Sequence, residues 1–123
     1  MKILVVDDDD LAGAMTAAIL EGNGYTAIVA DNGVHALEQL NDHPEIDCII
    51  SDLNMPMING IELFWELRAQ GVALPFILLT GDDPQVSMAK EPAMDGCLMK
   101  DGSLEESLPS LVQSVLARHH KLE

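Results

Sequence analysis

Hydrophobic residues fall in five short, nearly unbroken runs: Ile3 to Val6, Thr26 to Ala30, Cys48 to Ile50, Phe76 to Leu79 and Cys97 to Met99. Runs of this length, rich in β-branched and aliphatic side chains, predict strands covered on both faces, as in a parallel sheet. Between them the apolar positions switch to helical spacing. Leu11, Met15, Ala18 and Ile19 predict one helix, stopped at Gly22-Asn23-Gly24. Val34, Leu37 and Leu40 predict a second, entered through Asp31-Asn32-Gly33, and Leu63, Phe64 and Leu67 a third, after Asn59-Gly60. The segment Pro84 to Glu91 is the weakest helix, and Pro92 should end it early. Leu104, Leu108, Leu111, Val112 and Val115 predict the last helix. Ser103 and Glu106 have the spacing of a capping box, and Pro109 demands either a kink or a late start.

Strand–helix alternation repeated five times predicts an α/β domain with one doubly wound, mostly parallel sheet. Right-handed crossovers place helices on both faces, and such sheets bind ligands at the carboxyl ends of their strands. A length of 123 residues suits one such domain, expected over residues 1–121, with Leu122-Glu123 read as a cloning scar.

Composition narrows the function. At 48% apolar residues the chain can build a sizeable core, whereas a net charge of -15 argues against nucleic-acid binding. The charge suits a divalent cation or a basic partner. Cys48 and Cys97 sit in apolar runs and read as two buried thiols without a disulfide. No run reaches transmembrane length, and Met1-Lys2 leads into a strand rather than a signal peptide, so no membrane and a cytoplasmic location are expected.

The strand ends carry the chemistry. The first strand runs into Asp7-Asp8-Asp9-Asp10, the third into Ser51-Asp52, the fourth into Thr80-Gly81-Asp82, and Lys100 follows the fifth. Carboxylates from adjacent strands repel one another unless a hard cation such as Mg²⁺ lies between them, and that cation can also offset phosphoryl charge. Lys100 adds a cation and Thr80 a hydroxyl, both suited to phosphate oxygens. Taken singly, each residue has a plainer reading. Asp9 and Asp10 are as well suited to capping a helix, and a lone Thr or Lys at a strand end is usually incidental. Their concurrence at four strand ends favours a phosphoryl site.

These segments resemble the receiver domains of two-component response regulators, over nearly the whole chain. ILVVDDDD (Ile3 to Asp10), DLNMPMING (Asp52 to Gly60), LLTGDD (Leu78 to Asp83) and LMK (Leu98 to Lys100) carry the likeness. The resemblance implies a flavodoxin-like strand order 2-1-3-4-5 and Asp52 as phosphoacceptor. It implies Mg²⁺ (or Mn²⁺) held by Asp8, Asp52 and the Asn54 backbone carbonyl, with Asp7 acting partly through water. Thr80 and Lys100 would contact phosphoryl oxygens, and Asn54 and Asp82 would tune phosphate lifetime. Gly60 would supply backbone freedom and Gly81 open space beside the acceptor. The implied partner is a sensor histidine kinase or histidine phosphotransfer protein, and a homodimer is compatible with the likeness.

Three departures from the family pattern share one face. Cys97 stands at a switch position that is normally aromatic, Asp101 replaces the proline after the lysine, and the Thr80-to-Lys100 interval is short. A trans Lys100-Asp101 bond is therefore expected, because a cis bond before a non-proline residue costs about 2.5–4 kcal/mol. The signal is expected to leave through the shortened fourth helix rather than through Cys97. Trp65 lies off the stripe of Gly60, Leu63, Phe64 and Leu67, resting on neighbouring side chains or awaiting a partner. A haloacid-dehalogenase-like phosphatase would need Gly-Thr after its Asp-x-Asp, which Asp7 to Leu11 lacks. A binding module without phosphorylation sits poorly with an intact Asp8, Asp52, Thr80 and Lys100.

Overall fold

A computed structural model describes residues 1–121. In chain order the elements are β1 (Lys2–Val6), α1 (Asp10–Glu21), β2 (Thr26–Ala30), α2 (Gly33–Asp42), β3 (Ile46–Asp52), α3 (Gly60–Ala69), β4 (Phe76–Thr80), α4 (Pro84–Lys90), β5 (Gly96–Met99) and α5 (Leu104–Lys121). The strands pair in parallel in the order β2-β1-β3-β4-β5, the flavodoxin-like arrangement the resemblance implies. β3 is longer than its apolar run, and its last residue is Asp52. Leu122-Glu123 lie outside the described residues.

Alternation along the buried strands divides the core in two. Leu4, Val6, Ile49, Phe76 and Leu78 face α2, α3 and Met88 of α4. Ile3, Val5, Ile50, Ile77 and Leu79 face Leu20 of α1 and Leu108, Val112 and Val115 of α5. Cys48 belongs to the second face and Cys97 to the first, so the sheet separates the two thiols. Cys97 is only half-buried, short of the full burial expected for it. Burial pushes Cys48 up to about 12 and Cys97 up to about 11.

The helices correct several expectations. Leu11 (71% exposed), Met15 (60% exposed) and Ala18 point to solvent, and α1 packs through Gly13, Thr16, Ala17 and Leu20. The small residues let the helix lie close on the sheet: a Cβ on Gly13 would stand 3.3 Å from Val29 and 3.6 Å from Asp7. Val34 is likewise exposed, while Leu37 and Leu40 pack and Gly33 and Ala36 are buried. α3 buries Gly60, Leu63, Phe64 and Leu67 as expected, with Ile61 beside them, and begins with a capping box between Asn59 and Glu62. α4 is short and ends before Pro92. α5 begins at Leu104 and runs on through Pro109. Ser103 forms no capping box, because its hydroxyl donates to the Asp101 carboxylate, which also accepts from the Ser103 N–H at 2.8 Å. Asp101 thus organises the start of α5, and the Lys100–Asp101 peptide is trans.

Candidate functional site at the carboxyl edge of the sheet

Asp7 leaves β1 held in line, its N–H donating to the Ala30 carbonyl at 3.0 Å. One Asp7 oxygen accepts from the Asp9 N–H at 2.9 Å, which aims the other into the site. Asp9 is the N-cap of α1, accepting from Leu11 and Ala12, and Asp10 sits in the first turn. The capping reading therefore describes these two, which leaves Asp7 and Asp8 to the pocket. Asp52 closes β3, and the Leu53 N–H donates to the Leu79 carbonyl at 2.8 Å, tying the end of β3 to β4. Thr80 closes β4, fully buried, and its carbonyl accepts from the Lys100 N–H at 2.8 Å.

The fold brings Asp7, Asp8, Asp52 and Lys100 together. Lys100 Nζ donates to Asp7 at 2.7 Å and pairs with Asp52 at 3.1 Å. Oxygens of Asp7, Asp8 and Asp52 lie within 4.8 Å of one another. Asp7 is 2% and Asp52 8% exposed, so the ammonium compensates two carboxylates largely withdrawn from water. Burial nevertheless raises the Asp52 carboxyl above its ordinary value, Lys100 pulling it down and Asp7 and Asp8 pushing it up. For Lys100 the order is the reverse: burial lowers it, but hydrogen bonds to Asp7 and Asp52 prevail and raise it. An all-carboxylate donor set with one exposed member, Asp8, fits a hard oxygen-seeking cation such as Mg²⁺.

Other expected residues stand at the margin. The Thr80 hydroxyl accepts from the Asp82 N–H at 3.0 Å, facing its own loop. Asn54 and Asp82 are exposed on the loops after β3 and β4. A Cβ on Gly81 would meet nothing within 4 Å, the open space expected there. Gly60 differs from expectation. It is helical, and a Cβ there would stand 2.5 Å from the Asp52 carbonyl oxygen, so it provides close approach rather than backbone freedom. Cys97 lies under α4, near Ser87. One feature escaped the sequence reading. The exposed Met15 borders a groove of about 550 Å³ between α1 and the start of α5, which reaches Lys100. The spacing of Leu11 and Met15 marks an apolar face of α1, but that face turns to solvent rather than to the core.

Residues 3–112 match the family model of the response regulator receiver domain. The whole chain is 36% identical to response regulator MprA of Mycobacterium ulcerans (strain Agy99), of which it covers 53%, so it spans about half the length of that relative. It is also 36% identical to sensor histidine kinase RcsC of Escherichia coli (strain K12), over 85% of this chain and 11% of that protein. Among solved structures, response regulator TrrA of Thermotoga maritima in complex with Mg²⁺-BeF superposes with a TM-score of 0.82 at 30% identity, covering 93% of this chain and 97% of that one. The family match over residues 3–112 excludes the phosphatase fold, and the chain belongs to the response regulator receiver domains, the phosphoacceptor modules of two-component signalling.

Proposed function

We propose that this chain takes its phosphoryl group on Asp52, from a phosphohistidine of a sensor kinase or phosphotransfer protein in the cytoplasm. The observation that carries this reading is the placement of Asp52. Asp52 is nearly buried, is the last residue of β3, the middle strand of the sheet, and pairs with Lys100 beside Asp7 and Asp8. An Asp52 oxygen bonds to phosphorus while the bond to the donor's imidazole nitrogen breaks. The electron pair stays with the imidazole, which takes a proton from solvent, and water later hydrolyses the acyl phosphate. Lys100 and the Thr80 hydroxyl, once turned from Asp82, receive phosphoryl oxygens, so that positioning and electrostatics supply most of the rate. Asp8, Asp52 and the Asn54 carbonyl, with Asp7 acting partly through water, would hold Mg²⁺ or Mn²⁺. When bound, the ion offsets charge on the phosphoryl oxygens. The apolar ridge of Leu11 and Met15, beside the groove that reaches Lys100, is the surface offered to the donor.

Incubation with Mg²⁺ and acetyl phosphate should add one phosphate, read by intact mass, and Asp52→Asn should abolish it. Undiminished labelling of that variant would refute the assignment.

The metal reading has its own measurement. A ligand that binds only the folded state raises stability by mass action. Millimolar Mg²⁺ should therefore raise the melting temperature of the wild type more than that of Asp8→Ala. Equal shifts would mean that the three carboxylates are only a solvated cluster.

A further inference from the structure

The N-terminal end of α4 follows the loop in which the Thr80 hydroxyl accepts from the Asp82 N–H at 3.0 Å. Its other end is fastened from outside. The Trp65 indole N–H, on the exposed side of α3, donates to Glu91 at 2.8 Å. The second oxygen of Glu91 accepts from the Ala93 N–H at 2.8 Å. Glu91 is the C-cap of α4, so one carboxylate joins the helix end, the turn after it and α3. Both bonds hold the Glu91 carboxyl below its ordinary value. Trp65 is 49% exposed and lies off the core stripe.

α4 spans only seven residues, about 10 Å of rigid helix, and a displacement at one end is transmitted to the other. Its covering of the sheet is light: of its own residues only Ser87 is buried. Beneath it lies Cys97, a small side chain that is only half-buried. We propose that the Trp65–Glu91 hydrogen bond is a tether that holds α4 in its resting position and is released when the Thr80 loop moves toward a phosphoryl group on Asp52. The tether adds α3 to β5 as an element against which α4 is held, and it rests on the assignment of Asp52 and Thr80 above. A bond present in one of two states biases their equilibrium by its own free energy, and a charge-assisted bond on an exposed surface corresponds to roughly a threefold shift.

Trp65 is the single tryptophan of the chain, so its fluorescence reads the tether directly. The 123-residue chain is treated with Mg²⁺ and acetyl phosphate, and with Mg²⁺ and beryllofluoride, while intact mass follows phosphate on the first sample. Phosphorylation should alter the emission and increase quenching by acrylamide. Glu91→Ala should show the altered emission before any phosphodonor is added. Glu91→Ala and Trp65→Phe, the latter followed by mass, should each reach half-maximal phosphorylation at an acetyl phosphate concentration about threefold lower. One phosphate gained with unchanged Trp65 emission and quenching would overturn the tether while leaving Asp52 as acceptor. Unshifted half-maximal concentrations in both variants would do the same. No phosphate gained by the wild type would overturn the acceptor assignment and the tether with it.

Discussion

Gly60→Ala is expected to destabilise the protein by about 3 kcal/mol, at the upper end of the cost of overpacking a filled site. The added Cβ would stand 2.5 Å from the Asp52 carbonyl oxygen and 2.5 Å from Leu78 Cδ1. A leucine methyl can turn aside, but the carbonyl belongs to the last residue of β3 and cannot. The Gly60 N–H also donates to the Leu53 carbonyl at 2.9 Å, locking the start of α3 against the end of β3. Relief therefore requires moving α3 or the strand end that carries Asp52. Denaturant unfolding should show the loss, and a melting temperature lower by roughly 10 °C should accompany it. Acetyl phosphate labelling should fall as well, because the acceptor shifts with the strand. A Gly60→Ala protein as stable as the wild type would mean that α3 moves away at negligible cost.

Lys100→Met is expected to cost about 3 kcal/mol in the metal-free protein at neutral pH, in the range for removing one partner of a buried ion pair. Asp7 and Asp52 would then lie nearly buried at the sheet edge without the ammonium that now touches both. The pH dependence follows from the direction of the Asp52 shift. Its carboxyl is already raised in the folded protein, mainly by burial, and loss of Lys100 raises it further. A carboxylate disfavoured in the folded state weakens folding at every pH above its folded value. That penalty fades as pH falls and is gone below the ordinary carboxylate value of about 4. The gap between variant and wild type should accordingly be widest at pH 7 and narrow toward pH 4. Mg²⁺ should narrow it too, since the same carboxylates suit the ion. A gap independent of both pH and Mg²⁺ would show that the lysine stem's packing, rather than its charge, is what the variant loses.

What the sequence determined by itself was the set of strands and the chemistry at their ends. Continuous apolar runs such as Phe76 to Leu79 have one stable use, a strand covered on both faces, and the polar residue after each run then falls on the carboxyl edge wherever the helices go. Asp7, Asp52, Thr80 and Lys100 were legible for that reason. The tertiary structure decided which face each helix turns inward. Leu11 and Met15 have the spacing of a core stripe, yet α1 rolls onto Gly13, Thr16 and Ala17, because small residues allow a closer approach than large ones. Periodicity shows that a helix has an apolar face, not that this is the face nearest the sheet. The role of Gly60 and the Trp65–Glu91 bond were hidden for a related reason. Each depends on where a neighbouring backbone or a distant side chain comes to rest, and no local pattern encodes a distance across 26 residues of chain, or across the 93 that separate Lys100 from Asp7.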